Sequence, residues 1–362
     1  MNIYKLNSKQ LTDCLITTIK ANLVPFIQGS PGIGKSDIVK TIVKQFNLEL
    51  IDLRLSMCDI TDLNGLPKFE DGKASFQPFD IFPLQDTPLP KGKNGWLLFL
   101  DEFNSASRSV MAASYKLILD RMVGNHKLHD RCVIVCAGNN DTDNAITTTM
   151  STALQSRLVH LELEPTIKDW STYAFKHNIR SEIIAYLSMN PNHLNVFDPD
   201  TQESRGEKTF ACPRTWSFTD RLLKAYLGNR SESTLTEEDY AILYPLLSGT
   251  ITSSIASAFL AFCKVSASLP SIKDIVKGNS NVPIPDDESS KWFILTYLIK
   301  AAIVDYKDNP IAIKNICSYV ERFDNTFIIM FVSQISNIAP TLKSNDGLLQ
   351  LITKVGEFIG DL

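Results

Sequence analysis

The segment Gly29-Ser30-Pro31-Gly32-Ile33-Gly34-Lys35-Ser36 constrains this chain more than any other stretch: strand-like residues Leu23 to Gln28 run straight into it, and Asp37 to Val43 follow with helical character. The glycines let the backbone curl until successive amide hydrogens point at one concave spot, and the helix after Ser36 adds its positive end. A strand, glycine loop and helix in this order grip an anionic triphosphate. Lys35 is then placed to reach the outer phosphates, and Ser36 to offer its hydroxyl to a magnesium ion that bridges them.

Hydrolysis requires a second signal, and Trp96-Leu97-Leu98-Phe99-Leu100-Asp101-Glu102 supplies it. Apolar residues ending in two carboxylates read as a strand buried on both faces that delivers its acids at the carboxyl edge of a parallel sheet, where such folds place ligands. Asp101 is expected to hold the magnesium through its waters. Glu102 is expected to orient and deprotonate the attacking water, because phosphoryl transfer needs an in-line nucleophile more than covalent help. An exposed acidic turn is the plainer reading of a lone Asp-Glu, and the glycine loop upstream disfavours it.

At 362 residues the chain exceeds one ordinary core, so two or three packed units are expected. Hydrophobic residues at 44% and charged residues at 21% indicate a globular protein, and a net charge of −4 gives no global pull toward nucleic acid. The seven cysteines are odd in number and scattered, which suits free thiols in a reducing compartment. Cys132 and Cys136 share one face of an expected strand and read as packed thiols, and His126 and His129 lack partners at a metal-binding spacing. The opening residues carry Lys5, Lys9 and Asp13 without a continuous apolar core, so no secretory leader is expected and the protein is placed in the cytoplasm. Gly249 to Leu269 is apolar but is interrupted by Ser, Thr and Lys264, which favours a buried helix over a membrane span.

Periodicity in the first part alternates strands (Leu23 to Gln28, Glu49 to Leu55, Trp96 to Leu100, Cys132 to Ala137, Leu158 to Leu163) with helices (Lys35 to Phe46, Ser109 to Arg121), the pattern of a doubly wound parallel sheet. Between residues 56 and 95 the pattern breaks, and a hairpin is expected about Asp71-Gly72-Lys73. Past Glu164 helices take over: Trp170 to Phe175, Arg180 to Ser188, a polar loop from Asn190 to Thr209, then a helix opened by Pro213. The expected division is an α/β nucleotide-binding core over 1–164, a helical lid over 165–235 and an all-α extension over 236–362.

An ATP-driven ring needs two more pieces. Beside the acid-bearing strand, Val133-Ile134-Val135-Cys136-Ala137-Gly138-Asn139-Asn140 ends in an amide able to hydrogen-bond both the terminal phosphate and the water. An arginine that stabilises transition-state charge is sought next, and Arg157, just ahead of the last strand, and Arg214, at the start of a lid helix, fit by position, with Arg121, Arg108 and Arg131 as rivals. In order, these residues resemble the AAA+ ATPases of the MoxR-like group, in particular phage and bacterial members with a helical extension after the lid. The resemblance covers about Val24 to Tyr226. It implies that Gly29 to Ser36 is the Walker A loop, Asp101 and Glu102 the Walker B pair, Asn139 sensor 1, Arg157 the arginine finger and Arg214 sensor 2. Asp59-Ile60-Thr61-Asp62-Leu63-Asn64-Gly65-Leu66-Pro67 also looks like the run that precedes this group's inserted hairpin, which in relatives faces the ring interior with the short hairpin near Gly124 to Asp130.

The expectation is therefore a magnesium-dependent ATPase, with ATP and Mg2+ as its ligands, that assembles head to tail as a hexameric ring and remodels a partner protein, a von Willebrand A-type protein being one candidate. Two other readings stand beside it. A nucleic-acid motor or loader on the same scaffold would line its pore with Lys68, Lys73, Lys91 and Lys93. A slow, nucleotide-gated scaffold would need little turnover.

Overall fold

Strands that are apolar on both sides can sit only inside a sheet with both faces covered. In the computed structural model, which describes residues 4–140, 143, 148, 150–198, 208–228, 230, 235–265 and 269–359, the strands are β1 (Lys5–Leu6), β2 (Val24–Gln28), β3 (Glu49–Arg54), β4 (Leu66–Glu70), β5 (Lys73–Gln77), β6 (Trp96–Asp101), β7 (Met122–Val123), β8 (His126–Lys127), β9 (Cys132–Gly138) and β10 (Leu158–Leu163). Six of them form one parallel sheet in the order β1-β10-β2-β9-β6-β3. β6, apolar up to its final Asp101, and the apolar β9 lie inside it, and β3, whose Glu49, Asp52 and Arg54 are exposed, takes one edge. Helices α1 (Ser8–Lys20) and α2 (Lys35–Gln45) cover one face, packing Leu11, Leu15, Val39 and Ile42 on Ile27, Leu97, Phe99 and Val135. Helix α4 (Arg108–Leu119) covers the other, where Val110, Met111 and Leu117 meet Phe26, Leu98, Leu100 and Ile134, and the short α5 (Thr152–Gln155) leads into β10. This is the α/β core, a covered parallel sheet with a glycine loop running into a helix, that is expected from the sequence, and among the described residues no strand follows it.

Two elements precede the first expected strand. No helix is expected in the opening residues, yet Leu11, Leu15 and Thr18 repeat at helical spacing and all three are buried in α1. Asn7 and Gln10 close a capping box at its start, with reciprocal hydrogen bonds of 2.9 and 3.1 Å. The short β1 ahead of it extends the sheet beyond β10.

The irregular stretch after β3 contains helix α3 (Ile60–Asn64) and the expected hairpin, β4 paired with β5 about Asp71 and Gly72, both at positive φ. Gly65 has no alternative residue: a Cβ there would lie 2.3 Å from the Gln77 carbonyl oxygen. The β7–β8 hairpin is tied to this insertion through His126 Nε2, 3.0 Å from the Phe76 carbonyl oxygen.

The chain divides into two compact units, residues up to Pro165 together with Asp198 belonging to the first and the helices from Thr166 to the second. The second contains α6 (Ile167–Lys176), α7 (Ser181–Met189), α8 (Pro213–Leu227), α9 (Glu237–Ile251), α10 (Ser253–Val265), α11 (Ile272–Val276), α12 (Glu288–Lys300), α13 (Pro310–Val320), α14 (Asn325–Ile338) and α15 (Asp346–Ile359). One apolar cluster runs through them from Trp170 to Val355, including a stacked Phe262–Phe293 pair with ring centres 4.4 Å apart. The apolar run from Gly249 to Leu269 differs from the single buried helix expected, because Thr252 at φ 77° breaks it between α9 and α10. Among the described residues no helix is long and apolar enough to cross a membrane. Of the polar loop expected from Asn190 to Thr209, 199–207 lie outside the described residues.

Buried charge in this unit is paired. Glu182 accepts from the Tyr297 hydroxyl at 2.6 Å beside Arg180, and Asp239 accepts from the Thr236 amide at 2.9 Å, from Tyr226 at 3.0 Å and from Arg230 at 3.1 Å. The Thr236 amide above all, joined by Arg230 and Tyr226 against the opposing cost of burial, holds the Asp239 carboxyl well below the usual carboxylate range. Its native pKa lies below the unfolded value of about 3.9, so its contribution to stability is complete above that pH and is lost as pH falls through the native value. Asp239→Asn is accordingly expected to be less stable than wild type at neutral pH, with the gap narrowing below about pH 4. Denaturant unfolding of both proteins over a pH series checks this, and a gap independent of pH would count against it.

Candidate active site

Because the six strands are parallel, the residues that follow β2, β3, β6 and β9 emerge at the same sheet edge. Gly29 to Gly34 make the turn from β2 into α2, with Gly32 at φ 78° and Gly34 at φ 100°. Gly34 is the N-cap of α2 and makes no side-chain capping hydrogen bond, so the first turn of that helix has no side-chain oxygen of its own to receive its amides. Lys35 is 9% exposed, and its ammonium donates to the carbonyl oxygens of Gly29 at 2.5 Å and Ser30 at 3.0 Å and to Asn139 Oδ1 at 3.2 Å. The buried cation is thereby paid for by three oxygens.

Ser36 Oγ donates to Asp101 Oδ2 at 3.1 Å, and the other oxygen of Asp101 accepts the Glu102 amide at 2.9 Å. Glu102 itself occupies the left-handed region at φ 54°, a conformation that costs a non-glycine residue about 1–3 kcal/mol where it is held in place. Its carboxylate accepts a hydrogen bond from Ser56, just past the end of β3. Nearby on β3, burial and the negative charges of Asp101 and Glu102 push the Asp52 carboxyl up.

The expected residues Gly29, Ser30, Pro31, Gly32, Ile33, Gly34, Lys35, Ser36, Asp101, Glu102 and Asn139 all lie at this one edge. The two expected arginines do not join them in the first unit. Arg157 precedes β10 at the opposite edge, since Leu158 pairs with Val24 at the start of β2 and Glu162 with Gln28 at its end. At about 3.3 Å of rise per residue, that separates it from the start of its own glycine loop by roughly 20 Å. It is exposed, and its guanidinium donates to the Ala153 carbonyl at 2.7 Å. Arg214 is exposed in the first turn of α8, in the second unit. Of the rivals, Arg121 is engaged with the carbonyls of His129 and Cys132, whereas Arg108 and Arg131 are exposed.

Three residues of the site escaped sequence reasoning. Ser56 holds Glu102, as above. Asp143 is 7% exposed, its carboxylate accepts the Asn140 amide at 3.1 Å and the Ser30 side chain, and burial raises its pKa against the lowering effects of those bonds and of Lys35. Asn104, fully buried, donates through Nδ2 to the Asn139 carbonyl at 2.7 Å and accepts the Asn139 amide on Oδ1 at 3.1 Å. Polar residues in loops carry no periodicity, and only the position of Asn104 two residues after Glu102 could have drawn notice.

The donor set fits a magnesium nucleotide: an uncapped helix start, a lysine turned into the loop, and a hydroxyl and carboxylate already within hydrogen-bonding distance of each other. No family model matches the chain. Among solved structures, a putative ATPase from Cytophaga hutchinsonii is 18% identical with a TM-score of 0.33, the match covering 44% of this chain and 47% of that one, so this chain spans about half that protein's length. A RuvB mutant from Thermotoga maritima is 13% identical over 91% of this chain and 85% of that one, with a TM-score of 0.37. The Thermotoga maritima RuvB Holliday junction branch migration motor is 14% identical with the same coverages, 91% and 85%, and a TM-score of 0.31. These scores are low, and the fold rests on the strand order and the glycine loop themselves.

Gly34 has open space where a Cβ would stand, so replacing it adds backbone strain and no collision. Gly34→Ala is expected to lower stability by about 1–2 kcal/mol in equilibrium unfolding. A stability equal to that of wild type would show that φ at this position relaxes freely.

Proposed function

We propose that the protein is a magnesium-dependent ATPase of the MoxR-like AAA+ kind, acting as a ring, for which six subunits is the expected number, to remodel a partner protein. The observation that carries the reading is the convergence at one sheet edge of Lys35, bonded to Asn139, with Ser36, bonded to Asp101, and Glu102 beside them. The loop amides and Lys35 would bind the phosphates, and Ser36 and Asp101 would hold the metal. Bound magnesium supplies charge neutralisation at the phosphate oxygens. Glu102 orients the attacking water and takes its proton, and Asn139 hydrogen-bonds the terminal phosphate and that water. Release of Glu102 from Ser56 frees its carboxylate for that task.

Arg157 stands at the far edge from its own loop, which supports a role at the nucleotide of a neighbouring copy, the arrangement a head-to-tail ring provides. Arg214 would sense the nucleotide from the lid. The insertion supports a protein client over nucleic acid. Pro67, Phe69, Ala74 and Phe76 share one face of the β4–β5 hairpin by register, Phe69 is 78% exposed, and Lys68 is spent in an ion pair with Glu70 at 2.6 Å. A von Willebrand A-type protein remains one candidate client, and the cytoplasm the proposed compartment.

Lys35→Ala is expected to abolish ATP binding, whereas Glu102→Gln binds ATP and stalls with it, because only the water-activating group is lost. Turnover assays paired with nucleotide-binding measurements check both, and equal turnover in Glu102→Gln and wild type would remove Glu102 as the base. Mixing Arg157→Ala with Lys35→Ala subunits is expected to restore part of the lost ATPase activity, since each supplies what the other lacks. Absence of rescue at every mixing ratio would exclude action across the interface.

A further inference from the structure

We propose that Asn104 is a positioning residue for Asn139, a clamp that sets where the Asn139 amide stands relative to Lys35 and the reacting phosphate; this rests on the ATPase reading above. Asn104 is fully buried within the first unit and spends both ends of its side-chain amide on one residue, donating to the Asn139 carbonyl at 2.7 Å and accepting its N–H at 3.1 Å. A side chain that pairs with both backbone groups of a residue, as a neighbouring strand would, fixes its position and its direction together. The Asn139 side chain leaves this clamped backbone and accepts from the Lys35 ammonium at 3.2 Å.

Two neighbours are built around the clamp. A side chain at Gly138 would force its neighbours to shift, because a Cβ there would stand 2.2 Å from Asn104 Oδ1 and 2.9 Å from Phe26 Cζ. On the other side, Asn104's own carbonyl accepts the Thr148 amide at 2.6 Å, and the Thr148 hydroxyl donates to the Ala106 carbonyl at 2.8 Å. Asn104 also lies in the turn that follows Glu102. One side chain therefore ties the segment that bears the base to the segment that bears the phosphate-sensing amide, across two adjacent strands. An apolar residue of similar size would fill the space and leave the Asn139 N–H and C=O unpaired, which accounts for a polar residue in a fully buried place.

The test uses the full chain, ATP and magnesium. Asn104→Ala is expected to lower kcat about 10- to 100-fold with KM for ATP within about threefold, because misplacing a reacting geometry by an ångström costs on that order. Exchange of the Asn139 amide hydrogen with solvent is expected to speed up at least about tenfold, since its acceptor is gone. Asn104→Ala combined with Asn139→Ala is expected to be no slower than Asn139→Ala alone, because the clamp acts only through Asn139. Gly138→Ala leaves Asn104 in place and displaces its oxygen, so it reproduces the loss by a second route if Asn104→Ala does not fold. Unchanged kcat in either folded variant, or losses that multiply in the double variant, would overturn the proposal. A wild-type chain with no ATP turnover would sink the ATPase reading instead, while amide exchange at Asn139 would still report on the clamp.

Discussion

A parallel sheet that is covered on both faces leaves only the ends of its strands for chemistry, and that constraint arranges everything else in the first unit. Ile27, Leu97, Phe99 and Val135 are consumed by α1 and α2 on one side, and Phe26, Leu98, Leu100 and Ile134 by α4 on the other. Polar groups must wait until a strand runs out. They do so together, because parallel strands end at the same edge: the glycine loop after β2, Ser56 after β3, Asp101 and Glu102 at the end of β6, and Asn139 after β9.

Close quarters at that edge make the groups hold one another. Lys35, nearly buried, would be expensive to desolvate alone, and three oxygens around its ammonium offset the cost. Those same oxygens keep it turned into the loop. Asp101 is held between the Ser36 hydroxyl and the Glu102 amide, and Glu102 between its strained backbone and Ser56. The site is thus assembled from four segments that share hydrogen bonds, and a change at one is felt at the next.

Much of this was legible in the sequence because it is local. The apolar runs of β6 and β9, the glycine loop between β2 and α2, and the Asp-Gly turn of the β4–β5 hairpin are each fixed by neighbours in the chain. What was missed is either short or non-local. Two-residue β1 has no period to detect, and the apolar face of α1 is narrow, with only Leu11, Leu15 and Thr18 buried. The break at Thr252 lies in a run of uniformly helical composition, where only the backbone of the folded chain records the turn. Asn104 and Asp143 look like ordinary loop residues until folding buries them.

By itself, then, the sequence determined the inner strands of the sheet, the helix that follows the glycine loop, and that a phosphate-binding turn joins the two, since backbone geometry and hydrophobic period act over a few residues. Tertiary structure alone decided the strand order, and with it the meeting of Lys35 with Asn139, of Ser36 with Asp101 and of Asn104 with the Asn139 backbone. It also decided that Arg157 stands at the edge away from its own loop. Those outcomes depend on which strands pair, and pairing is settled by the burial of both sheet faces at once, a condition that no single stretch of chain contains.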